Sequence, residues 1–169
     1  MRNLLLSFVF LILSAPAGAQ EFEIKNIHLG KSIGDSKSEF RCYTPRDSLE
    51  TCTNTRPIMS VGGALITGLT LKLDGEGRVE GYMMTFSADD YPKVKDAVVG
   101  KYGVLNCTNS TATNAYGAVM PSENCIKLGE VEVLILNLRG ARMNLASIHV
   151  SRKDLSDYNK RRAQERGDI

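Results

Sequence analysis

The sequence predicts an α+β fold, with an antiparallel sheet of about five or six strands, one main helix packed on a face of the sheet and short N- and C-terminal helices. Two hairpin patterns and one helical pattern predict it. Residues 65–86 and residues 131–150 each contain two apolar, strand-like runs joined through a glycine-containing turn. Between them, residues 89–102 carry apolar side chains at helical spacing.

The N-terminal elements are predicted to be short. Residues 22–29 are expected to form an extended segment, and Gly30-Lys31-Ser32 offers a turn and a helix cap before a short helix over residues 33–40. The residues between Cys42 and Cys52 are of turn type and predict a loop tied at its base. Residues 54–63 are expected to be irregular.

The first hairpin joins Leu65–Leu73 to Val79–Phe86 through Asp74-Gly75-Glu76-Gly77. Leucines at alternate positions 69, 71 and 73 predict one buried face in its first strand. In the second strand, Val79 and Met83 are expected to share one face and positions 82, 84 and 86 the other. Two alternatives follow: both faces are covered, or a bulge at Gly81 switches the register.

The main helix is predicted over residues 89–102. Ser87 and Asp90 have the spacing of a capping box, and Pro92 falls in the first turn, where its missing N–H costs nothing. Residues 94, 97, 98 and 102 form one apolar stripe that should lie on the sheet, and Gly103 ends the helix.

The C-terminal part is predicted to contain a strand from Val104 to Cys107, a polar loop over residues 108–114 and a returning strand over residues 116–120. A final hairpin pairs residues 131–138 with residues 143–150, and both of its faces are apolar enough to be covered. A closing helix is expected over residues 154–166, with 155–169 as a peripheral C-terminal helix or tail.

Residues 1–19 have the three parts of a secretory signal peptide. Arg2 lies in a short basic start, an apolar run extends from Leu4 to Leu13, and Ala17 and Ala19 suit the subsites of signal peptidase. We therefore expect cleavage after Ala19 and a single exported α+β domain over residues 20–169, located in the periplasm or secreted. No later segment is long and apolar enough for an integral membrane span.

Export sets the interpretation of the four cysteines. In an oxidising compartment, Cys42, Cys52, Cys107 and Cys125 are expected to form two disulfides. Their spacing does not match the close pairs of zinc or redox sites. Pairing in sequence order, 42 with 52 and 107 with 125, is the simplest of the three connectivities.

Charge and motifs exclude several functions. The formal net charge of +2 provides no field for binding nucleic acid. His28 and His149 stand apart from any cluster of metal ligands, and no nucleophile elbow or phosphate-binding loop is present. Asp89 and Asp90 are explained as helix-start residues rather than paired acids. The sequence therefore predicts no catalytic residues, no metal and no cofactor.

Binding is the remaining class of function. The segment between Cys107 and Cys125 contains many small polar residues, and its covalent closure lowers the cost of ordering it on a partner. We expect a partner-binding loop here, together with the loop between Cys42 and Cys52. The alternative is that both are solvated connections. The candidate contact residues are Asn109, Asn114, Tyr116 and Met120.

Two passages of the chain carry a resemblance. Residues 29–40, beginning Leu29-Gly30-Lys31-Ser32, are similar to the start of the first helix in domains of the β-lactamase-inhibitor-protein-like type, and residues 77–103 are similar to the strand-and-helix passage of those domains. The resemblance implies a small exported inhibitor or assembly factor that binds another envelope protein. This chain lacks the lipid-bearing cysteine of the outer-membrane assembly lipoprotein in that group, and it shows no clear tandem duplication.

The sequence thus predicts an exported, noncatalytic protein-binding module of the cell envelope, for example an enzyme inhibitor or an assembly factor. Its expected partner is another envelope or extracellular protein. Two alternatives remain open, a small secreted hydrolase with an unrecognised site and a purely structural envelope protein.

Overall fold

A computed structural model describes residues 22–45, 49–113, 117–139 and 144–155. Its main feature is one antiparallel sheet of nine strands, in which β3 pairs with β4 and the others follow the order β1-β2-β4-β5-β9-β8-β7-β6. The strands are β1 Arg41–Tyr43, β2 Glu50–Asn54, β3 Ser60–Val61, β4 Ala64–Leu73, β5 Val79–Ser87, β6 Asn106–Thr113, β7 Val119–Leu128, β8 Glu132–Arg139 and β9 Leu145–Arg152.

The predicted fold class is wrong. The structure is mostly antiparallel β, with nine strands in one sheet and one main helix, rather than an α+β fold with five or six strands. The additional strands lie in segments that were predicted to be loops, namely β1 and β2 around the first cysteine pair, β3, and most of β6. These segments lack an apolar alternation, so periodicity gives no signal, and pairing with neighbouring strands decides their conformation.

The hairpin of β4 and β5 is confirmed, and it contains two bulges. Thr67 in β4 and Glu80 in β5 each lack a directly opposite partner. Because of the second bulge, Val79 lies on the same buried face of β5 as Tyr82, Met84 and Phe86. The alternative with a register switch beside Gly81 is therefore correct, and the expectation that Val79 shares a face with Met83 is wrong.

The main helix, α1, runs over Tyr91–Tyr102 after a short 3-10 turn at Ala88–Asp90. Its buried side chains, which join the sheet in one hydrophobic core, are Tyr91, Val94, Val98 and Tyr102. Pro92 lies in the first turn, and Gly103 follows the helix with a positive φ of 80°. The predicted helix and its end are confirmed.

The short N-terminal helix is present as a 3-10 helix over Gly34–Glu39. The Ser32 Oγ accepts a hydrogen bond of 3.2 Å from the Gly34 N–H, the first N–H of this helix, as predicted, although the residue at the N-cap position is Ile33. At the other end, residues 153–155 are helical. The rest of the predicted closing helix and the predicted signal peptide at residues 1–19 lie outside the described residues. None of the described helices is long and apolar enough to span a membrane.

Candidate functional site

Both disulfides join directly opposite residues of neighbouring strands. Cys42 and Cys52 face each other between β1 and β2 with their Cα atoms 4.0 Å apart, and Cys107 and Cys125 face each other between β6 and β7 at 3.9 Å. The connectivity in sequence order is confirmed. Among the described residues, the groups of metal-ligand type that come close together are these two cystines, each with a glutamate, and the cystine sulfur atoms are already bonded to each other.

The segment between Cys107 and Cys125 is a β-hairpin and not a polar loop. Strand β6 extends to Thr113 and β7 begins at Val119, and eight consecutive residue pairs connect them without a bulge. Threonine favours extended backbone, and the cystine fixes the register of the two strands. The segment between Cys42 and Cys52 likewise forms a hairpin of β1 and β2, of which the turn lies partly outside the described residues.

The structure separates the predicted contact residues. Asn109 lies on β6 opposite Glu123, whereas Met120 lies on β7 opposite Ala112. Because successive side chains of a strand point to opposite faces, Asn109 and Met120 belong to different faces of the sheet. They do not form one side-chain surface. Asn114 and Tyr116 lie outside the described residues.

What the hairpin does provide is a long strand at the edge of the sheet. In the described part of the chain, β6 ends the strand order and pairs only with β7. Among the β6 side chains that the structure describes, all are exposed except that of Cys107, which is half-buried. The sequence of β6, NCTNSTAT, contains no charge and no proline. The opposite edge differs, because β1 is three residues long and carries Arg41.

The cystine shows which backbone groups of β6 face outward. A Cα separation of 3.9 Å is typical of a non-hydrogen-bonded pair, since hydrogen-bonded pairs lie about 5.5 Å apart. The pattern alternates along the strand, so residues 107, 109, 111 and 113 direct their N–H and C=O groups away from β7. Pro121 agrees with this assignment: it lies opposite Thr111, where no N–H is needed for pairing with β6.

A charged cluster connects β7 to α1 behind this edge. The Tyr91 hydroxyl donates a hydrogen bond of 2.6 Å to Glu123, and the Lys95 ammonium lies 2.9 Å from both of its carboxylate oxygens. Burial alone would raise the pKa of Glu123, but the hydrogen bonds from Lys95 and Tyr91 outweigh it and lower that pKa. Burial and the neighbouring carboxylate raise the pKa of Tyr91. The cluster holds β7 against the helix.

One serine–histidine pair lies on the face of the sheet away from the core. Ser147 and His149, two residues apart on β9, share a hydrogen bond of 3.1 Å. Nucleophilic catalysis by such a pair also needs a group that orients the histidine. The residues directly opposite His149 are Met83 and Ile135, and those opposite Ser147 are Thr85 and Asn137. None of these four neighbours is a carboxylate.

Comparison with known proteins adds no further site residue: no protein-family model matches this sequence, and a search of curated proteins returned no match. The resemblance to β-lactamase-inhibitor-protein-like domains therefore stays a prediction. Sequence reasoning pointed to the segment that holds Asn109 as a loop, and in the structure this segment is the edge strand β6. It missed the edge itself, since an uncharged run of threonine, serine and asparagine is equally typical of a loop.

Proposed function

We propose that this protein is an exported, noncatalytic binding module that captures an extended segment of another envelope or extracellular protein as an additional strand along β6. The observation that carries the proposal is the long edge strand β6, which pairs with β7 alone in the described part of the chain. Proteins normally shield long edge strands with lysine, proline, a bulge or a covering element. Strand β6 has eight residues and none of the first three devices.

The outward backbone groups suit this mode of binding. A partner strand that pairs with β6 would accept from and donate to the N–H and C=O groups of residues 107, 109, 111 and 113, and such main-chain hydrogen bonds provide affinity in β-strand addition. The cystine at Cys107 and Cys125 holds β6 extended before a partner arrives. Less conformational entropy is then lost on binding.

The polar side chains of β6 favour regulated pairing over aggregation. Uncontrolled strand addition is promoted by flat, apolar edges. Threonine, serine and asparagine keep the edge soluble while leaving its backbone accessible, so the partner has to supply side-chain contacts of its own. Such selectivity is what an inhibitor or an assembly factor requires. The predicted signal peptide and the two disulfides support a periplasmic or secreted location for this activity.

A substitution of one edge residue tests the proposal. Thr111→Pro removes an outward N–H and leaves the hydrogen bonds to β7 in place, because the N–H of residue 111 does not face β7. Thr111→Ala is the matched control, since it removes the same side chain and keeps the N–H. Both variants are used, with disulfides intact, to capture partners from the envelope fraction of the source cells, and bound proteins are quantified by mass spectrometry.

We expect one dominant partner that wild type and Thr111→Ala capture equally and that Thr111→Pro loses by about tenfold or more, as the loss of a buried main-chain hydrogen bond in an interface predicts. Circular dichroism and the melting temperature verify that both variants fold. Equal capture by a folded Thr111→Pro variant would contradict strand addition at β6. A partner that is retained by both variants and never exchanges would favour the structural alternative.

A further inference from the structure

A cavity beside β4 and β5 lies far along the strand order from β6. It has a volume of about 770 Å³ and is enclosed by residues 25–40, by the connection between β2 and β3, and by the sheet. This volume falls within the range of sites that hold small organic molecules, about 300–1,000 Å³.

The floor of the cavity is apolar. Leu69 and Leu71 of β4 and Val79 of β5 are almost completely buried beneath it. Ile27, Ile33 and Phe40 of the N-terminal segment contribute half-buried apolar walls. Such a floor favours the apolar part of an organic ligand, and its side chains provide no polar atoms for binding a small inorganic ion.

The rim of the cavity is cationic. Its charged residues are Lys25, Lys31, Arg56 and one carboxylate, Glu39. None of these three cationic side chains makes an ion pair or a side-chain hydrogen bond within the described part of the chain. Elsewhere, Lys37, Lys93 and Lys95 each have a carboxylate partner. The cations around the cavity are therefore available to a ligand.

Two local features place polar residues beside the same cavity. His28 lines the cavity, and its Nδ1 is buried without a hydrogen-bond partner among the described residues. A buried polar atom in this state costs free energy unless a ligand or water satisfies it. The turn before it holds Lys25 and Asn26 at φ values of 55° and 62°, the left-handed region, and this turn places Lys25 at the rim.

From the apolar floor, the unpaired cations and the unsatisfied His28 nitrogen, we infer that this cavity binds an organic monoanion with an apolar body. The apolar part would lie on Leu69, Leu71 and Val79. The anionic group would lie between Lys31 and Arg56, within reach of a hydrogen bond from His28. This site is separate from β6, so either proposal can fail without the other.

A matched pair of fluorescent probes tests the class of ligand. 1-Anilinonaphthalene-8-sulfonate and N-phenyl-1-naphthylamine share one aromatic body, and only the first carries a sulfonate. We expect saturable binding of one sulfonate probe per chain in the disulfide-intact protein. Decanoate should displace it at clearly lower concentrations than 1-decanol does.

A pair of double variants with the same net charge locates the binding. Lys31→Gln with Arg56→Gln removes two rim cations, whereas Lys93→Gln with Lys153→Gln removes two lysines that do not line the cavity. The rim variant should bind the sulfonate probe about tenfold more weakly and the neutral probe within about twofold of wild type, because only the charged contact is lost. The control variant should bind both probes as wild type does.

Three results would overturn the inference: no saturable binding of the sulfonate probe, equal loss in the two double variants, or displacement by decanol as effective as displacement by decanoate. Near-ultraviolet circular dichroism of each variant distinguishes a lost site from a lost fold. Should the rim variant unfold, the same comparison is made with Lys25→Gln, an exposed residue, against Lys93→Gln.

Discussion

At the scale of single residues, Glu123 links the candidate edge to the helix behind it. Its carboxylate accepts hydrogen bonds from Tyr91 and Lys95, and only 15% of its side chain is exposed. These contacts favour the ionised form, so the pKa of Glu123 lies below its usual value of 4.5 in the folded protein. The stability that this carboxylate contributes is therefore present above about pH 4.5 and is lost as the pH falls through its folded pKa.

We expect Glu123→Gln to lower the free energy of unfolding by about 1–2 kcal/mol at pH 7, since it removes charge-assisted hydrogen bonds in a half-buried site. The difference from wild type should shrink as the pH falls through the folded pKa of Glu123, because the wild-type carboxyl is then itself protonated. Urea unfolding at several pH values measures this. Glu130→Gln is the control, because Glu130 is exposed and its carboxylate makes no ion pair in the described part of the chain. A pH-independent loss in Glu123→Gln would contradict the assignment.

The residue scale also shows what sequence can and cannot predict about the candidate site. Pairing of the cysteines in sequence order was the simplest of three connectivities and is the one in the structure. The segment that holds Asn109 is strand β6 and not the predicted loop. That Asn109 and Met120 lie on opposite faces depends on the register of β6 with β7, which local pattern does not encode. Lys31 and Arg56 are 25 residues apart in number and meet at one cavity only through the fold, so no motif marks them.

At the scale of elements, the turn between β3 and β4 depends on one close approach to α1. Gly62 and Gly63 both have positive φ values, 58° and 82°, as a two-residue hairpin turn requires. A Cβ on Gly62 would lie 2.6 Å from the carbonyl oxygen of Lys93 and 2.9 Å from the Cβ of Ala97, whereas a Cβ on Gly63 would meet no atom within 4 Å. Only Gly62 is needed for docking the turn on the helix.

We expect Gly63→Ala to cost about 1–2 kcal/mol of unfolding free energy, because alanine disfavours positive φ. Gly62→Ala has the same unfavourable positive φ and in addition clashes with the helix backbone. It should therefore lower the free energy of unfolding by about 1–3 kcal/mol more than Gly63→Ala does. The difference between the two variants therefore measures the clash with α1 separately from the effect of positive φ. Equal destabilisation of the two variants, measured by urea unfolding, would show that the turn does not pack closely against α1.

Elements with strong periodicity were predictable and the others were not. The hairpins β4–β5 and β8–β9 and helix α1 follow from apolar spacing, turn glycines and Pro92, because in them local preference and tertiary packing agree. Strands β1, β2 and β6 have few buried side chains of their own. They are strands because a neighbour pairs with them, and a cystine fixes the register in each hairpin.

At the scale of the whole molecule, the sheet has two unequal ends. The end at β1 is short and charged, and the 770 Å³ cavity lies beside β4 in that half. The end at β6 is long, uncharged and fixed by a cystine. The two proposals assign different tasks to these ends, since the cavity would hold a small ligand and β6 would pair with a partner protein.

The most direct test of the proposed function is the exchange of the β6 backbone amides, resolved by nuclear magnetic resonance, in the protein alone and saturated with its captured partner. Alone, the outward amides of Asn109 and Thr111 should exchange much faster than the inward amides of Thr108 and Ser110. The partner should slow the exchange of the outward amides by about a hundredfold or more, because hydrogen bonds to a stably paired strand protect amides from exchange to this extent. Outward amides that exchange equally fast with and without the partner, while protection appears elsewhere on the sheet, would contradict capture at this edge.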